Sequence, residues 1–372
     1  MREVLLVTGA TGFLGQELLA RLLRDGTEGE VLALVRAEDD AAAQARVDAI
    51  ATGLGLPAGS IEAVRGELTQ PHLGLSVAAE DALRARVTRI LHCAASVSFT
   101  LPLEVARQIN VVGTRRMLRL ARRCPHLERF AYVSTAYVAG RARGAFGGRD
   151  LERGQAFRNS YEQSKNEAEA LVRAAAEQLP ATQVFRPSIV VGDRETGWTT
   201  SFNVVYQPLR AFSRGLYEVL PGDLDAPVDV VSIDYVADAI CALLAEPARG
   251  GLETHPLVSG PDAARVGELV ALASEYYERP APTIVPAPLF HALVAPLARA
   301  RGGAALSAVL DGSAQYFPYF SVETRFEDGP TRRRLAAHGL APSPLREYLP
   351  KLLDFAARAR WGKRLPPRPL AA

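Results

Sequence analysis

The sequence has little of several features that mark particular classes of protein. Only three of its 372 residues are cysteines (Cys93, Cys124 and Cys241), and no two of them form a C-x-x-C pair. Such a small and odd number of cysteines argues against a disulfide framework and against a zinc site, and it favours a reducing compartment. The formal net charge is only +2, which gives no support for a nucleic-acid partner. We therefore predict neither a metal site nor nucleic-acid binding.

Long hydrophobic runs are missing as well. Residues 4–7 are apolar, but glycines follow so soon that this run is too short for the core of a signal peptide. The most apolar later stretch, residues 286–310, contains His291, Arg299 and Arg301. It falls short of the about 20 apolar residues that a membrane-spanning helix requires. Hydrophobic residues still make up 48% of the chain, which suffices for a sizeable core. We expect a soluble, cytoplasmic protein without a membrane span.

What the chain does contain is a regular alternation of strand-like and helix-like segments. Up to about residue 192, short β-rich runs alternate with longer amphipathic patterns. The β-rich runs are EVLLVTG, EVLALVRA, RVTRILHCAA, RFAYVSTAYV and TQVFRPSIVVG. This alternation predicts an α/β fold in which helices cover both faces of a doubly wound parallel sheet. The later run PVDVVSIDYVADAICALLAEP indicates a further strand and helix, and we expect the sheet to gain a late strand there.

The run VTGATGFLG places three glycines at a G-x-x-G-x-x-G spacing between the first strand and the first helix. Gly9 supplies the bend, Gly12 lets a ligand approach bare backbone, and Gly15 lets the helix pack closely on its strand. The start of the helix offers N–H groups and partial positive charge to a pyrophosphate. A tight turn without a ligand is the alternative, but the flanking strand and helix favour a Rossmann-type dinucleotide site. The other loop residues of this predicted site are Thr11, Phe13 and Leu14.

The end of the second strand indicates which dinucleotide binds. An acidic residue there would hold the ribose 2′-hydroxyl of NAD, whereas an arginine accommodates the 2′-phosphate of NADP. The tip residue is Arg36, and Arg46 can fold back as a second basic contact. Glu38, Asp39 and Asp40 lie close by, and a solvated arginine is the alternative interpretation. We predict NADPH/NADP+ as the cofactor.

Tyr161 and Lys165 occur in NSYEQSKNEAE at an i, i+4 spacing, which places both on one face of a helix. We expect the lysine to lower the pKa of the phenol, so that Tyr161 transfers a proton to or from a substrate oxygen near neutral pH. Ser134 or Thr135, at the end of the strand in YVSTAYV, would complete a pocket that stabilises an oxyanion. Alone, the tyrosine–lysine pair is equally typical of a helix surface, but the glycine motif and the hydroxyls favour catalysis.

These observations predict how the chain is divided. A cofactor-binding domain is expected over residues 1–245, with a substrate-side insertion at about 194–228. A smaller, mainly helical C-terminal substrate-binding region follows over residues 246–372, where frequent prolines make the pattern irregular. Its proline-rich, basic tail, residues 362–372, is predicted to be disordered.

Taken together, TGATGFLG, NVVGT, YVSTAYV and YEQSK resemble the extended short-chain dehydrogenases/reductases. The runs RGELTQPHLGLS, HCAASVSF, NVVGTRRML, NSYEQSKNEAE and FRPSIVVGD are similar to the branch with fatty acyl-CoA reductases and the thioester-reductase domains of peptide synthetases and carboxylic acid reductases. The similarity covers roughly residues 4–245. It implies that Thr135 is the catalytic hydroxyl with Ser134 beside it, that Tyr161 is the general acid, that Lys165 binds the ribose, and that Asn110 braces the active-site helix through a water or backbone contact.

The resemblance also implies cofactor contacts for three pairs of residues. These are Glu67 and Leu68 beside the adenine, Ala94 and Ala95 along the path from pyrophosphate to ribose, and Pro187 and Ser188 near the nicotinamide. Two departures stand out, since Glu67 replaces a frequent aspartate and Ser232 a usual proline. The first weakens the expected adenine contact, and the second concerns the geometry of one loop.

The implied reaction is reduction of an acyl thioester, carried by coenzyme A or an acyl carrier protein, to an aldehyde; a second hydride transfer would give the alcohol. Two alternatives stay open: reduction of a free aldehyde, ketone, steroid or sugar by the same residues, and a non-catalytic protein that senses NADP(H). An acyl-enzyme on Cys93 is disfavoured, because the ring of its neighbour His92 would point to the opposite face of the strand. Seven aromatic residues can either wall an acyl pocket or pack in the core, namely Trp198, Phe202, Tyr206, Tyr316, Phe317, Tyr319 and Phe320.

Overall fold

The computed structural model describes residues 3–24, 29–202, 204–296 and 310–369. Its strands, in chain order, are β1 (Val4–Thr8), β2 (Glu30–Val35), β3 (Glu62–Arg65), β4 (Arg89–His92), β5 (Arg129–Val133), β6 (Gly144–Phe146), β7 (Ala181–Pro187), β8 (Ile189–Val191), β9 (Val219–Pro221), β10 (Pro227–Val228), β11 (Val230–Ser232), β12 (Gly251–Leu257), β13 (Ala264–Arg265), β14 (Thr283–Val285) and β15 (Thr324–Phe326).

The α-helices within the described ranges are α1 (Phe13–Arg24), α2 (Asp40–Gly53), α3 (Val77–Arg86), α4 (Leu103–Arg107), α5 (Gly113–Ala121), α6 (Ser160–Ala175), α7 (Tyr206–Ser213), α8 (Ile233–Ala245), α9 (Val266–Tyr277), α10 (Ala287–Leu289), α11 (Gly329–Ala336) and α12 (Leu345–Arg358). A π-helical turn, Gln108–Val112, joins α4 to α5, and a second one, Phe290–Val294, follows α10. Short 3-10 helices include Ala136–Ala139 and Phe317–Ser321.

Seven strands form one parallel sheet in the order β12-β7-β5-β4-β1-β2-β3. Chain order reverses at β1, which lies between β2 and β4, and a crevice forms at such a switch point beyond the carboxyl ends of the strands. The predicted Rossmann-type, doubly wound α/β fold is therefore confirmed.

Both faces of the sheet are buried. In β1, Leu5 and Val7 belong to the apolar cluster that includes residues of α1, α2 and α8, whereas Val4 and Leu6 belong to the cluster that includes residues of α3, α5 and α6. Successive side chains of a strand point to opposite faces, so a continuous apolar run such as VLLV supplies both clusters at once. This explains why the central strands were readable from the sequence.

The late strand expected in the run PVDVVSIDYVADAICALLAEP does not join the seven-stranded sheet. β11, within the run assigned to that strand, pairs with β8 in a separate two-stranded sheet. The outer members of the seven-stranded sheet are instead β3 and β12, with the sequences EAVR and GLETHPL. Both are edge strands. An edge strand has a neighbouring strand on one side only and buries less surface, so it tolerates polar residues. Their sequences therefore lack the apolar run by which the inner strands were recognised.

A third apolar cluster, rich in aromatic side chains, lies in the later part of the chain and includes residues of α7, α9 and α12. The division at residue 245 stays a prediction. The tail makes a defined contact, since Arg368 forms an ion pair with Glu17 of α1 at 2.7 Å; residues 370–372 lie outside the described part. None of the described helices is long and apolar enough to cross a membrane. Residues 297–309 of the apolar stretch noted above lie outside the described ranges.

Candidate active site

A cleft of about 990 Å³ opens at the carboxyl edge of the sheet, where the loops after β1, β2, β3, β4, β5 and β7 converge. The sequence-predicted site residues that line it are Gly9, Thr11, Gly12, Phe13, Leu14, Gly15, Arg36, Arg46, Glu67, Leu68, Ala94, Ala95, Ser134, Thr135, Tyr161, Lys165, Pro187 and Ser188. Asn110 is buried and is not among the lining residues. The fold thus brings together residues from across the first half of the chain, whereas their individual roles stay predictions.

The glycine loop is shaped by close backbone contacts. Gly9 has a φ of +77°, and a Cβ there would lie 2.7 Å from the backbone nitrogen of Ala94. A Cβ at Gly15 would lie 2.0 Å from the carbonyl oxygen of Gly9, so only glycine permits this approach of helix and loop. Gly12 differs, since its Cβ would meet only that same oxygen at 3.3 Å and the residue is exposed. At Gly12 the missing side chain leaves room for a ligand next to the backbone.

Two arginines lie at the end of β2. Arg36 is exposed and its Nε lies 3.7 Å from the carboxylate of Glu67, while Arg46 donates from Nη1 to the carbonyl oxygen of Arg36 at 2.9 Å. Arg46 therefore folds back onto Arg36, whereas its contact with a cofactor stays a prediction. Two acidic residues nearby have other partners, because Asp39 caps α2 by accepting from a backbone N–H and Asp40 pairs with an arginine of β3 at 2.8 Å. The two guanidinium groups form a basic edge on the cleft, with the carboxylate of Glu67 beside it.

Tyr161 and Lys165 lie on the same face of α6, but their electrostatics differ from the expectation. Burial raises the pKa of Tyr161 to about 12, although a hydrogen bond with Thr135 opposes the shift. Lys165 donates from Nζ to the carbonyl oxygen of Val133 at 2.7 Å, and Nζ lies 4.3 Å from the ring centroid of Tyr132. Burial lowers the pKa of Lys165 to about 8. The pKa of Tyr161 is therefore raised rather than lowered, because its burial outweighs the hydrogen bond with Thr135.

The two candidate hydroxyls point in different directions. Thr135 donates to the carbonyl oxygen of Pro187 at 3.3 Å and is hydrogen-bonded to Tyr161, so its hydroxyl lies beside the phenol. Ser134 donates instead to the buried carboxylate of Glu169 at 2.7 Å. That carboxylate also pairs with Arg186 at 2.6 Å, which ties Ser134 to a buried ion pair. The geometry places Thr135, and not Ser134, next to the candidate acid.

Asn110 lies in the π-helical turn between α4 and α5. Its Nδ2 donates to the carbonyl oxygen of Ser96 at 3.1 Å and to the hydroxyl of Ser164 at 2.9 Å, and its Oδ1 accepts from the backbone N–H of Ser96 at 2.8 Å. Isolated π-helical turns occur frequently at functional sites. The side chain joins the loop after β4 to α6 directly, which is compatible with the bracing role inferred from the family resemblance.

The thiol of Cys93 lines the cleft but is poorly suited to nucleophilic attack. Burial raises its pKa to about 11, against the opposing charge of Lys165. The neighbouring His92 cannot activate it, because its ring nitrogens lie 2.7 Å and 3.1 Å from the hydroxyls of Thr8 and Thr114. Burial also lowers the pKa of His92 to about 3. The structure therefore agrees with packing as the role of Cys93.

An aromatic wall faces Tyr161, and sequence reasoning missed its central member. Phe99 stacks on Tyr161 with ring centroids 5.7 Å apart, and on Tyr319 at 5.4 Å. Phe99 falls within HCAASVSF, but nothing in that run distinguishes a cleft residue from a core residue. Of the seven aromatic residues proposed as a pocket wall, Tyr316 and Tyr319 line the cleft. The others belong to the third apolar cluster: Trp198, Phe202, Tyr206, Phe317 and Phe320.

Comparison with known proteins shows the family to which the chain belongs. The family model described as Male sterility protein matches residues 7–240. Fatty acyl-CoA reductase wat of Drosophila melanogaster is 28% identical over 295 residues, which are 69% of this chain and 57% of that protein. A linear gramicidin synthase of Brevibacillus parabrevis is 30% identical over 279 residues, 72% of this chain and 5% of that protein. The chain thus spans less than two thirds of these relatives.

The fold comparison agrees. The crystal structure of the terminal R domain from the myxalamid PKS-NRPS biosynthetic pathway matches 98% of this chain and 93% of that domain, with a TM-score of 0.82 and 28% identity. These matches confirm the resemblance noted in the sequence. The chain belongs to the Male sterility protein family, in the nicotinamide-dependent branch of the extended short-chain dehydrogenases/reductases that holds the fatty acyl-CoA reductases and thioester-reductase domains.

Proposed function

We propose that this protein is an NADPH-dependent reductase of acyl thioesters, carried by coenzyme A or an acyl carrier protein, and that it forms an aldehyde, which a second hydride transfer would convert to the alcohol. The observation that carries the proposal is the position of Tyr161 and Thr135 in one cleft with the glycine loop. The names of the relatives support the thioester, since one is a fatty acyl-CoA reductase and the solved domain is the terminal reductase of a PKS-NRPS pathway.

The residues present fit a dinucleotide. A Cβ at Gly9 or Gly15 would collide with the backbone, and the exposed Gly12 leaves the start of α1 open to a pyrophosphate. Arg36, with Arg46 bonded to its carbonyl oxygen, offers its guanidinium to a 2′-phosphate at the end of β2. This basic edge supports NADPH over NADH. When bound, NADPH supplies the hydride of the reaction.

The proposed roles of the chain's own residues follow from their contacts. Thr135 and Tyr161 hold the thioester carbonyl oxygen between their hydroxyls and stabilise the negative charge that develops there. Because the pKa of Tyr161 is about 12, the phenol is protonated at neutral pH and ready to donate. The resulting hemithioacetal expels the thiol as its carbon–sulfur bond breaks, which gives the aldehyde. Lys165 and Asn110 hold α6 against β5 and the loop after β4.

The test is a turnover assay that follows the absorbance of NADPH. The panel consists of octanoyl-CoA, palmitoyl-CoA, octanoyl-acyl carrier protein and octanal, with products identified by mass spectrometry. We expect turnover of at least one thioester with release of free thiol. Turnover of octanal alone would contradict thioester reduction and assign the protein to free carbonyl compounds. Absence of turnover with tight NADPH binding would favour a sensing protein.

The matched variants are Tyr161→Phe and Tyr348→Phe. Tyr348 is buried and Tyr161 is half-buried, but among the described residues the Tyr348 hydroxyl has no hydrogen-bond partner. We expect Tyr161→Phe to lose about 100-fold or more in kcat, as for loss of a general acid, and to keep its NADPH affinity. The Tyr348→Phe variant should turn over like the parent protein. An unchanged kcat in Tyr161→Phe would remove the tyrosine from the role of proton donor.

A further inference from the structure

The first turn of α6, which carries Tyr161, is held by a side chain from far along the chain. The hydroxyl of Tyr319, in the 3-10 helix Phe317–Ser321, donates to Oε1 of Glu162 at 2.8 Å across 157 residues of sequence. The same hydroxyl accepts from Nδ2 of Asn159 at 2.9 Å. Asn159 is the N-cap of α6 and accepts from the backbone N–H of Glu162 at 3.0 Å. One hydroxyl thus bonds Asn159 and Glu162, which lie on either side of Tyr161 in the first turn of α6.

Glu162 makes this contact consequential because its carboxylate is fully buried. A buried charge is costly unless hydrogen bonds satisfy it. Besides Tyr319, its partner is Arg158, which donates its backbone N–H to Oε2 at 2.9 Å and its guanidinium to Oε1 at 3.3 Å. The guanidinium of Arg158 also lies over the ring of Tyr319, 5.6 Å from the centroid. The cap, the carboxylate and the arginine all meet at Tyr319.

The ring of Tyr319 reaches Tyr161 by a second route. It stacks on Phe99 at 5.4 Å with an interplanar angle of 19°, and Phe99 stacks on Tyr161 at 5.7 Å with 29°. The ring of Tyr137 also packs edge-on against that of Tyr319, with centroids 5.1 Å apart. Phe99 therefore packs against both Tyr161 and Tyr319. Movement of Tyr319 would change both the backbone that carries Tyr161 and the ring against which Tyr161 packs.

We propose that Tyr319 is a positioning residue for Tyr161. Its hydroxyl fixes the first turn of α6 and its ring, through Phe99, fixes the phenol that donates the proton. This inference rests on the proposed function, in which Tyr161 is the general acid. The later part of the chain then sets the rate of proton transfer in addition to enclosing the substrate, because small misplacements of a reacting group cost large factors in rate.

The variant Tyr319→Phe removes the hydroxyl and keeps the ring. We expect kcat, measured with NADPH and the most active compound of the panel above, to fall about tenfold, as for loss of one hydrogen bond to a charged group. The dissociation constant of NADPH should stay within about twofold, and Tyr348→Phe should match the parent protein in both quantities. A variant Tyr319→Phe with unchanged kcat would overturn the proposal.

A double-mutant cycle separates positioning from a general structural effect. In a Tyr161→Phe background, measured in single turnovers at high enzyme concentration, Tyr319→Phe should cause no further loss, because the group through which it acts is gone. A tenfold loss in both backgrounds would refute action through Tyr161. The two proposals fail differently: Tyr161→Phe with full turnover refutes the general acid, whereas an inactive Tyr161→Phe with unaffected Tyr319→Phe refutes the positioning role alone.

Asn159→Ser provides a second variant in case the loss of a partner of Glu162 impairs folding. Serine is as good an N-cap as asparagine, so α6 keeps its cap while the amide that donates to Tyr319 is removed. We expect a smaller loss in kcat than for Tyr319→Phe, again with unchanged NADPH affinity and again absent in the Tyr161→Phe background. Equal losses in both backgrounds, or no loss in the parent, would count against the proposal.

Discussion

The basic edge at the end of β2 makes a sharp prediction about cofactor choice. In the variant Arg36→Ala, the guanidinium that faces the expected 2′-phosphate is removed. A hydrogen bond between charged groups contributes about 1.5–3 kcal/mol. The side chain of Arg36 is 75% exposed and lies 3.7 Å from the carboxylate of Glu67, so solvent and this competing partner place the expected loss near the lower limit. A loss of about 1.5 kcal/mol corresponds to about a tenfold rise in Kd.

The assay compares the dissociation constants of NADPH and NADH by fluorescence titration at one fixed salt concentration, since exposed charges are screened. We expect Arg36→Ala to raise the Kd of NADPH about tenfold and that of NADH less than about twofold, because NADH lacks the 2′-phosphate. The matched control is Arg65→Ala, an arginine at the end of β3 that pairs with Asp40 and is not among the residues lining the cleft. It should leave both constants unchanged. Equal losses for the two cofactors in Arg36→Ala would refute recognition of the 2′-phosphate by this residue.

The remaining predictions concern the loop, the thiol and the tail. Gly12→Ala should fold normally, since its Cβ meets one oxygen at 3.3 Å, but should raise the dissociation constant of NADPH about tenfold or more. Gly15→Ala, whose Cβ would lie 2.0 Å from an oxygen, should lose about 3 kcal/mol of the free energy of unfolding measured in urea. Cys93→Ala should keep kcat within about twofold, because a pKa of about 11 leaves about one thiol in ten thousand ionised at pH 7; a dead, folded variant would contradict this. Burial raises the pKa of Glu17, but Arg368 and a second arginine outweigh it and lower the net value. Arg368→Ala should therefore lower the free energy of unfolding by about 1–3 kcal/mol at pH 7. This difference from the parent protein should shrink as the pH falls through the folded-state pKa of Glu17, which lies below 4.5. A difference that does not depend on pH would refute the ion pair.

The cofactor half of the site was readable from the sequence because it is built from local backbone geometry. A glycine that must have positive φ, as Gly9 does, or must admit a neighbouring backbone, as Gly15 does, leaves its mark at a fixed spacing. The tip of a strand is equally local, so Arg36 could be identified from the end of an apolar run. Such features require only that a strand, a turn and a helix follow one another, and that is the part of the fold which periodicity predicts best.

The other half was not readable, because it depends on contacts between distant segments. The stacking of Phe99 between Tyr161 and Tyr319 is a property of the folded molecule that no spacing announces. The raised pKa of Tyr161 likewise follows from its burial in the folded molecule. The edge strands were missed for a related reason, since strands that bury less surface carry a weaker apolar pattern.

This division has a consequence for substrate choice. The family match covers residues 7–240 and so includes Thr135, Tyr161 and Lys165, but it ends before Tyr316 and Tyr319, which line the same cleft from the other side. Because the Tyr319 hydroxyl also bonds Asn159 and Glu162 in the first turn of α6, we expect a change in the segment around it to alter both the enclosure of the substrate and the position of Tyr161, the proposed proton donor. The glycine loop and Arg36 lie apart from these contacts. Relatives that share the first region but differ in the second are therefore expected to differ in kcat and in acyl preference while they bind NADPH with similar affinity.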